Sequence, residues 1–189
     1  SYSLESEIRY VGGCIRKIMK KENVIDDIDL ATNLEPKQVC EALKQNKISF
    51  YESGIEHGTI TALVEKNKFE ITTLRKDIFT DGRHAKVEFS KDWKEDASRR
   101  DFTINSIYSD KDGNLFDPFN GKSDLEDGKI KFIGDADIRI KEDFLRIIRY
   151  LRFFLHYSKH PHDLEIIKSL KINIEGVSKL SKERLLDEL

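Results

Sequence analysis

The chain has 189 residues, 36% of them charged, with 33 Lys and Arg set against 35 Asp and Glu for a formal net charge of -2. That length supports one substantial core, or one core with a smaller appendage, and excludes a mini-protein, while the near-neutral balance requires any nucleic-acid contact to come from locally grouped basic residues. No apolar run reaches membrane-span length and the N-terminus lacks the basic-then-apolar plan of a secretory signal, so a cytoplasmic protein without membrane association is expected.

From Glu7 to about Arg139 short strand and helix patterns alternate, as in an α+β or mixed α/β domain. A strand ending at Val11 leads through Gly12 and Gly13 into a helix over residues 14–20, and residues 25–31 read as the next strand. Glycines at a turn into a helix let backbone N–H groups approach an anion closely. Asp27 and Asp29 alternate along the strand, so both carboxylates point to one face. Such a pair suits two Mg²⁺ ions about 3.5–4 Å apart, an arrangement that serves phosphoryl transfer. Taken alone, the same triplet also fits a solvated turn.

Pro36 suits a first helical turn, and Val39, Cys40 and Leu43 mark the apolar face of a helix ending near Asn46. Residues 59–65 and 69–74 read as a β-hairpin, with Glu70, Thr72 and Leu74 on one face. Residues 77–85, polar and with Gly82 near their middle, are expected to form a mobile loop before a strand at 87–89. Asp112 and Gly113 turn a second hairpin. Cys14 and Cys40 fall in helices without Cys-x-x-Cys spacing, which fits reduced, partly buried thiols. His160, Pro161, His162 and Asp163 read as a polar loop.

At Glu142 the pattern becomes helical. Phe144, Leu145, Ile147, Ile148, Leu151 and Phe154 recur at helical spacing, and Asp143 suits the positive helix N-terminus. Residues 1–139 and 140–189 are therefore the expected domains. A further helix begins near Val177, with Leu180, Leu185, Leu186 and Leu189 forming an apolar pattern unfinished at the last residue. A helical partner is expected, from a separate chain or a homo-oligomer.

Seven ordered segments carry a family resemblance. They are Val11-Gly12-Gly13, Asp27 to Thr32, Glu70 to Arg75, Asp81 to Ala85, Arg99 to Asn105, Asp117 to Gly121 and Glu142 to Arg146. Together they resemble the class II tRNA nucleotidyltransferases, the CCA-adding enzymes with bacterial poly(A) polymerases as relatives, from about residue 8 to the end. The resemblance implies an α+β fold: a nucleotidyltransferase head with a small mixed β-sheet and flanking helices, then an incomplete all-helical neck, with body and tail domains absent. It implies transfer of CMP and AMP from CTP and ATP to a tRNA 3′ end, with Mg²⁺ as cofactor.

Within that resemblance Asp27 and Asp29 match the metal-binding pair, and Glu70 matches a further acidic residue of the catalytic face. Gly12, Gly13, Arg16, Asn105 and Arg149 fall on the nucleotide-binding side, and Arg99, Arg100 and Asp101 match the segment contacting sugar and triphosphate. An arginine fork suits phosphate oxygens, and a carboxylate accepts from a ribose hydroxyl. Lys17 departs from the acidic residue usual there. Asp143 and Arg146, spaced i,i+3, are expected side by side on a helix as one acceptor beside one donor. Cytosine and adenine each offer an amino group beside a ring acceptor, so such a pair favours C and A over U and G. The segment holding Asp77, Asp81, Gly82, Arg83 and His84 resembles a flexible loop that reshapes the pocket when specificity switches. Two alternatives stay open: a poly(A) polymerase or A-adding specialist, and a nucleotide-binding fragment that needs a partner chain.

Overall fold

A computed structural model of the protein describes residues 6–23, 28–81 and 84–189. Strand β1 (Ile8–Val11) turns at Gly12 into α1 (Gly13–Met19), and β2 (Ile28–Thr32) follows. Helix α2 (Pro36–Gln45) starts where the sequence requires, with Pro36 in its first turn and a capping box between Glu35 and Gln38. Then come β3 (Ser49–Gly54), β4 (Thr59–Val64) and β5 (Asn67–Thr73). Next are β6 (Arg75–Asp81), β7 (His84–Phe89), α3 (Trp93–Ser98), β8 (Tyr108–Ser109) and β9 (Leu115–Phe116). The remainder is helical: α4 (Gly121–Asp127), α5 (Ala136–Glu142), α6 (Leu145–Tyr157), α7 (Leu164–Asn173) and α8 (Lys182–Glu188).

Seven strands form one sheet in the order β3-β4-β5-β2-β1-β8-β9. Only β2 and β5 run parallel among these neighbours, which makes the sheet mixed. One face packs on α2: Val39, Cys40 and Leu43 cluster with Ile60, Ala62 and Ile71, and Leu30, Phe50 and Phe69 pack around them. Each aliphatic side chain buried this way contributes about 1.5–3 kcal/mol. On the other face Val11, Ala31, Leu74, Ala97 and Tyr108 form a second cluster.

The largest cluster joins Phe102, Leu125 and Phe132 to Ile140, Ile147, Tyr150, Phe153, Ile166 and Leu170. Phe102 makes an edge contact with Phe153 at 5.5 Å between centroids and a tilted one with Phe132 at 4.6 Å. One core therefore contains side chains from both sides of residue 140, and α5 straddles that point. No helix among the described residues is long and apolar enough to cross a membrane.

Three expectations are corrected here. The segment read as a loop over 77–85 forms a two-stranded antiparallel ribbon, β6 with β7, paired from Arg75 with Phe89 to Asp81 with His84. In the sequence the Asp81-Gly82 pair carries a hairpin-turn signal. The helix expected from Glu142 starts later: Glu142 ends α5, Asp143 is extended at φ -156 and ψ 108, and α6 begins at Leu145, whose N–H the Asp143 carboxylate accepts at 3.1 Å, the N-terminal place expected for it. The helix expected from Val177 begins as a 3-10 turn, Ile174–Lys179, before α8. At this end of the chain Leu186 and Leu189 are exposed, as an unpartnered apolar pattern requires, while Glu188 is buried.

His162 is also better fixed than a polar loop residue. Its ring stacks on Phe154 at 3.5 Å and its Nδ1 lies 3.1 Å from the Tyr150 hydroxyl.

Candidate active site

The parallel register of β2 and β5 sets Asp29 directly beside Glu70. Residues paired this way share a face of the sheet, so the half-buried Asp29 and the exposed Glu70 present their carboxylates on the same side. Asp27 lies outside the described residues. Gly12 closes over Asp29: a Cβ at Gly12 would stand 3.6 Å from Asp29 Oδ2 and 3.6 Å from Arg100 Nη1. Its φ of +74 with ψ -129 is a conformation open to glycine at little cost. The turn into α1 thus stands close to both a carboxylate and a guanidinium, and Gly13 begins the helix.

Arg99 and Arg100 do not form a free charge run. Asp96, on α3 and 1% exposed, accepts from Arg99 Nε at 3.0 Å and Nη2 at 2.8 Å, and from Arg100 Nη2 at 3.3 Å. It also takes the Arg75 N–H and the Tyr108 hydroxyl. Burial would push this carboxyl up, but the two guanidiniums and the Tyr108 hydrogen bond outweigh it and hold the group down at about 2. Arg100 Nε donates to the Tyr108 oxygen at 3.0 Å, which fixes the plane that faces Gly12.

Asp101 centres a second chain of contacts. Its Oδ1 accepts from Asn105 Nδ2 at 2.9 Å and its Oδ2 from Arg149 Nη1 at 3.1 Å. Burial opposes ionisation here as well, yet Arg149 and Asn105 bring its pKa below the usual carboxylate value. Arg16 donates to Asn105 Oδ1 and lies 4.5 Å over the Phe153 ring, buried between α1 and α6. Arg149 continues to Glu188 with contacts of 3.0 and 2.7 Å, and Arg152 donates to the same carboxylate. Arg16, Asn105, Asp101 and Arg149 are therefore one connected system.

Asp143 and Arg146 form no ion pair with each other. Asp143 Oδ2 accepts from Arg184 Nη2 at 2.8 Å, whereas Arg146 Nη1 donates to Glu142 and to the Arg139 carbonyl. The break between α5 and α6 separates the two side chains into different partnerships. Asp77 and Asp81 lie in β6 and His84 in β7, while Gly82 and Arg83 lie outside the described residues. Asp77 Oδ1 is buried, and it borders a polar cavity of about 260 Å³ with Lys76, Arg99, Arg139 and Glu142.

Among the described residues no three His, Cys, Asp or Glu side chains group as a metal site. Asp29 and Glu70 do supply two carboxylates in register, and hard oxygen donors of this kind suit a divalent cation such as Mg²⁺.

Residues 8–131 match the poly A polymerase head domain. The chain belongs to that family. Its head-domain architecture, a mixed sheet with flanking helices, is shared with solved structures. The Bacillus stearothermophilus CCA-adding enzyme in complex with CTP superposes with a TM-score of 0.83 at 29% identity, over 97% of this chain and 43% of that one. A tRNA nucleotidyltransferase complexed with a primer tRNA and an incoming ATP analog gives 0.75 at 28% identity, over 97% of this chain and 52% of that one. In sequence the chain is 45% identical over 186 residues to the mitochondrial CCA tRNA nucleotidyltransferase 1 of Mus musculus. That match takes in 97% of this chain and 43% of the relative, so the chain spans less than half the length of the protein it resembles.

Around this head-domain site, sequence reasoning missed Asp96, Tyr108, Arg139, Glu142, Arg184 and Glu188. Asp96 had a legible signal, since an acidic residue three and four positions before two arginines lies on one helical face. Glu188 and Arg184 had none, because they meet Arg149 and Asp143 from 39 and 41 residues away.

Proposed function

We propose that this chain carries the catalytic site of a template-independent RNA nucleotidyltransferase, adding CMP and AMP from CTP and ATP to tRNA 3′ ends. The observation that carries the reading is the juxtaposition of Asp29 with the Gly12 turn and Arg100, with Glu70 in register beside it. The named relatives and the CTP and primer-tRNA complexes support the choice of substrates.

Asp27 and Asp29, with Glu70 alongside, would hold divalent ions, which we assign as Mg²⁺ and which on binding acidify a hydroxyl and neutralise phosphate oxygens. The RNA 3′ oxygen bonds to the α-phosphorus as the bond to pyrophosphate breaks. Gly12 and Gly13 leave room for phosphate against the backbone. Arg100, fixed by Asp96 and Tyr108, faces that turn with a preset donor plane, and Arg99 is held by the same carboxylate. Asp101 accepts from the nucleotide sugar, with Asn105, Arg16 and Arg149 orienting it. These groups position charge before reaction, so little reorganisation is needed during it.

Asp143 and Arg146 read the base edge. A carboxylate has about four lone-pair directions, so Asp143 keeps acceptor capacity while bound to Arg184 and the Leu145 N–H. The segment holding Asp77, Asp81, Gly82, Arg83 and His84 adjusts the pocket between C and A addition.

In this reading residues 1–139 act as head and 140–189 as neck. Exposed Leu155, Leu186 and Leu189 on α6 and α8 offer contact to a helical partner, either a separate chain or a second copy. The buried free thiols of Cys14 and Cys40 suit a reducing compartment, the cytoplasm or a mitochondrial interior, as the name of the mouse relative suggests.

Incubation with Mg²⁺, labelled CTP or ATP, and tRNAs ending before CCA, after C and after CC tests the proposal. Completion of all three ends is the expected result. Extension by A alone would make the chain an A-adding enzyme, and no extension of any end would defeat the assignment for the chain acting alone.

A further inference from the structure

The line of residues that includes Asp29 and Glu70 continues across the sheet. Thr61 on β4 stands opposite Glu70, and Tyr51 on β3 stands opposite Thr61. Asp29, Glu70, Thr61 and Tyr51 therefore form one row over four strands. The row lies on the face away from α2, because the alternating neighbours Leu30, Ile71, Ala62 and Phe50 pack with that helix. With strands about 4.8 Å apart, three steps put the backbone of Tyr51 about 14 Å from that of Asp29. Tyr51 is 58% exposed, which leaves its ring open to contact on this face. Lys68, two residues before Glu70 on β5, shares this face and is exposed.

We propose that this row seats the RNA strand just behind its reacting 3′ end, with Tyr51 stacking on a base and Lys68 pairing with a backbone phosphate. The inference rests on the proposed nucleotidyl transfer, which places the 3′ hydroxyl at Asp29. Three features favour single-stranded RNA as the occupant. The row is continuous with the carboxylates of the candidate active site. Its far end offers an exposed aromatic face, the sequence-tolerant means of holding unpaired bases. Lys68 supplies a cation where Glu70 would otherwise repel phosphate. At about 3.4 Å per stacked nucleotide, the row covers roughly the last four nucleotides of the strand.

The test compares Tyr51→Ala, Tyr51→Phe and Lys68→Ala with the wild type in the full chain. KM is measured separately for a tRNA ending before CCA and for CTP. A parallel binding arm photo-crosslinks an RNA carrying 5-iodouridine within its last four nucleotides. Tyr51→Ala is expected to raise KM for RNA roughly five-fold or more, the loss of one stacked base, with KM for CTP and the melting temperature unchanged. Tyr51→Phe keeps the stack and should behave as wild type. Lys68→Ala should reduce the salt dependence of RNA binding by about one phosphate contact. Crosslinking to β3 should disappear in Tyr51→Ala. An unchanged KM for RNA in Tyr51→Ala, or extension by a wild type that never crosslinks to β3, would overturn the inference. An equal rise in both KM values with a lower melting temperature would reduce Tyr51 to a structural role and overturn it too. Crosslinking at Tyr51 by a protein that adds no nucleotide would support the RNA surface and count against the transfer reaction.

Discussion

The Tyr108 hydroxyl donates a 2.6 Å hydrogen bond to Asp96 Oδ2 beneath the two arginines of the candidate site. Both residues are almost fully buried, and the same carboxylate receives both guanidiniums. Removing its charge would leave Arg99 and Arg100 without their shared counter-ion. Asp96→Asn should therefore destabilise the fold by about 3–5 kcal/mol, read from the midpoint of urea unfolding. The acid limb gives a second measurement. Because the folded pKa, about 2, lies below the unfolded one, the stabilisation is present above about pH 4 and is lost as pH falls towards 2. The wild type should lose on the order of 2 kcal/mol over that window from this group, and Asp96→Asn should lack that part of the loss.

Asp29→Ala should leave unfolding nearly unchanged while lowering nucleotide incorporation by at least roughly a hundred-fold, since several kcal/mol of charge stabilisation would be lost at the α-phosphate. Glu70→Gln, further out and exposed, should cost less. Single-turnover incorporation of labelled CMP provides the measurement, and near-normal turnover by folded Asp29→Ala protein would sink the mechanism.

Glu188 joins α8 to α6 by accepting from Arg149 and Arg152 at once. Glu188→Ala should cost about 3 kcal/mol, because two guanidiniums lose a buried partner. Hydrogen exchange should show the loss concentrated in α8. Uniform loss of protection across the sheet would argue against a local clamp.

Asp143→Ala should weaken discrimination of CTP and ATP against UTP and GTP by about 1–3 kcal/mol in kcat/KM, the worth of one base-edge contact. Arg184→Ala leaves that acceptor in place and should shift selectivity less. If Asp143→Ala retained full selectivity, the residue would serve only as the structural joint between α5 and α6.

Local chemistry made part of this protein legible from its residues. The glycine pair, the start of α2 at Pro36, the β4–β5 hairpin and the helical run of α6 depend on turn propensity, capping and apolar period, all of which act over a few neighbours. Asp29 and Glu70 were nameable as carboxylates on strands. Only the family resemblance put them on adjacent strands, and their direct register was not legible, because it depends on a parallel pairing between β2 and β5, 41 residues apart, that no local pattern encodes. The partners of Asp143 and Arg146 were hidden for a related reason: Arg184 reaches Asp143 from 41 residues away, and spacing alone does not show that Asp143 stands just before α6 while Arg146 lies within it. The exposed Leu186 and Leu189 fit the unpartnered apolar pattern legible in the sequence, and only tertiary packing decided that Glu188 turns inward, since two arginines from α6 stabilise its buried carboxylate.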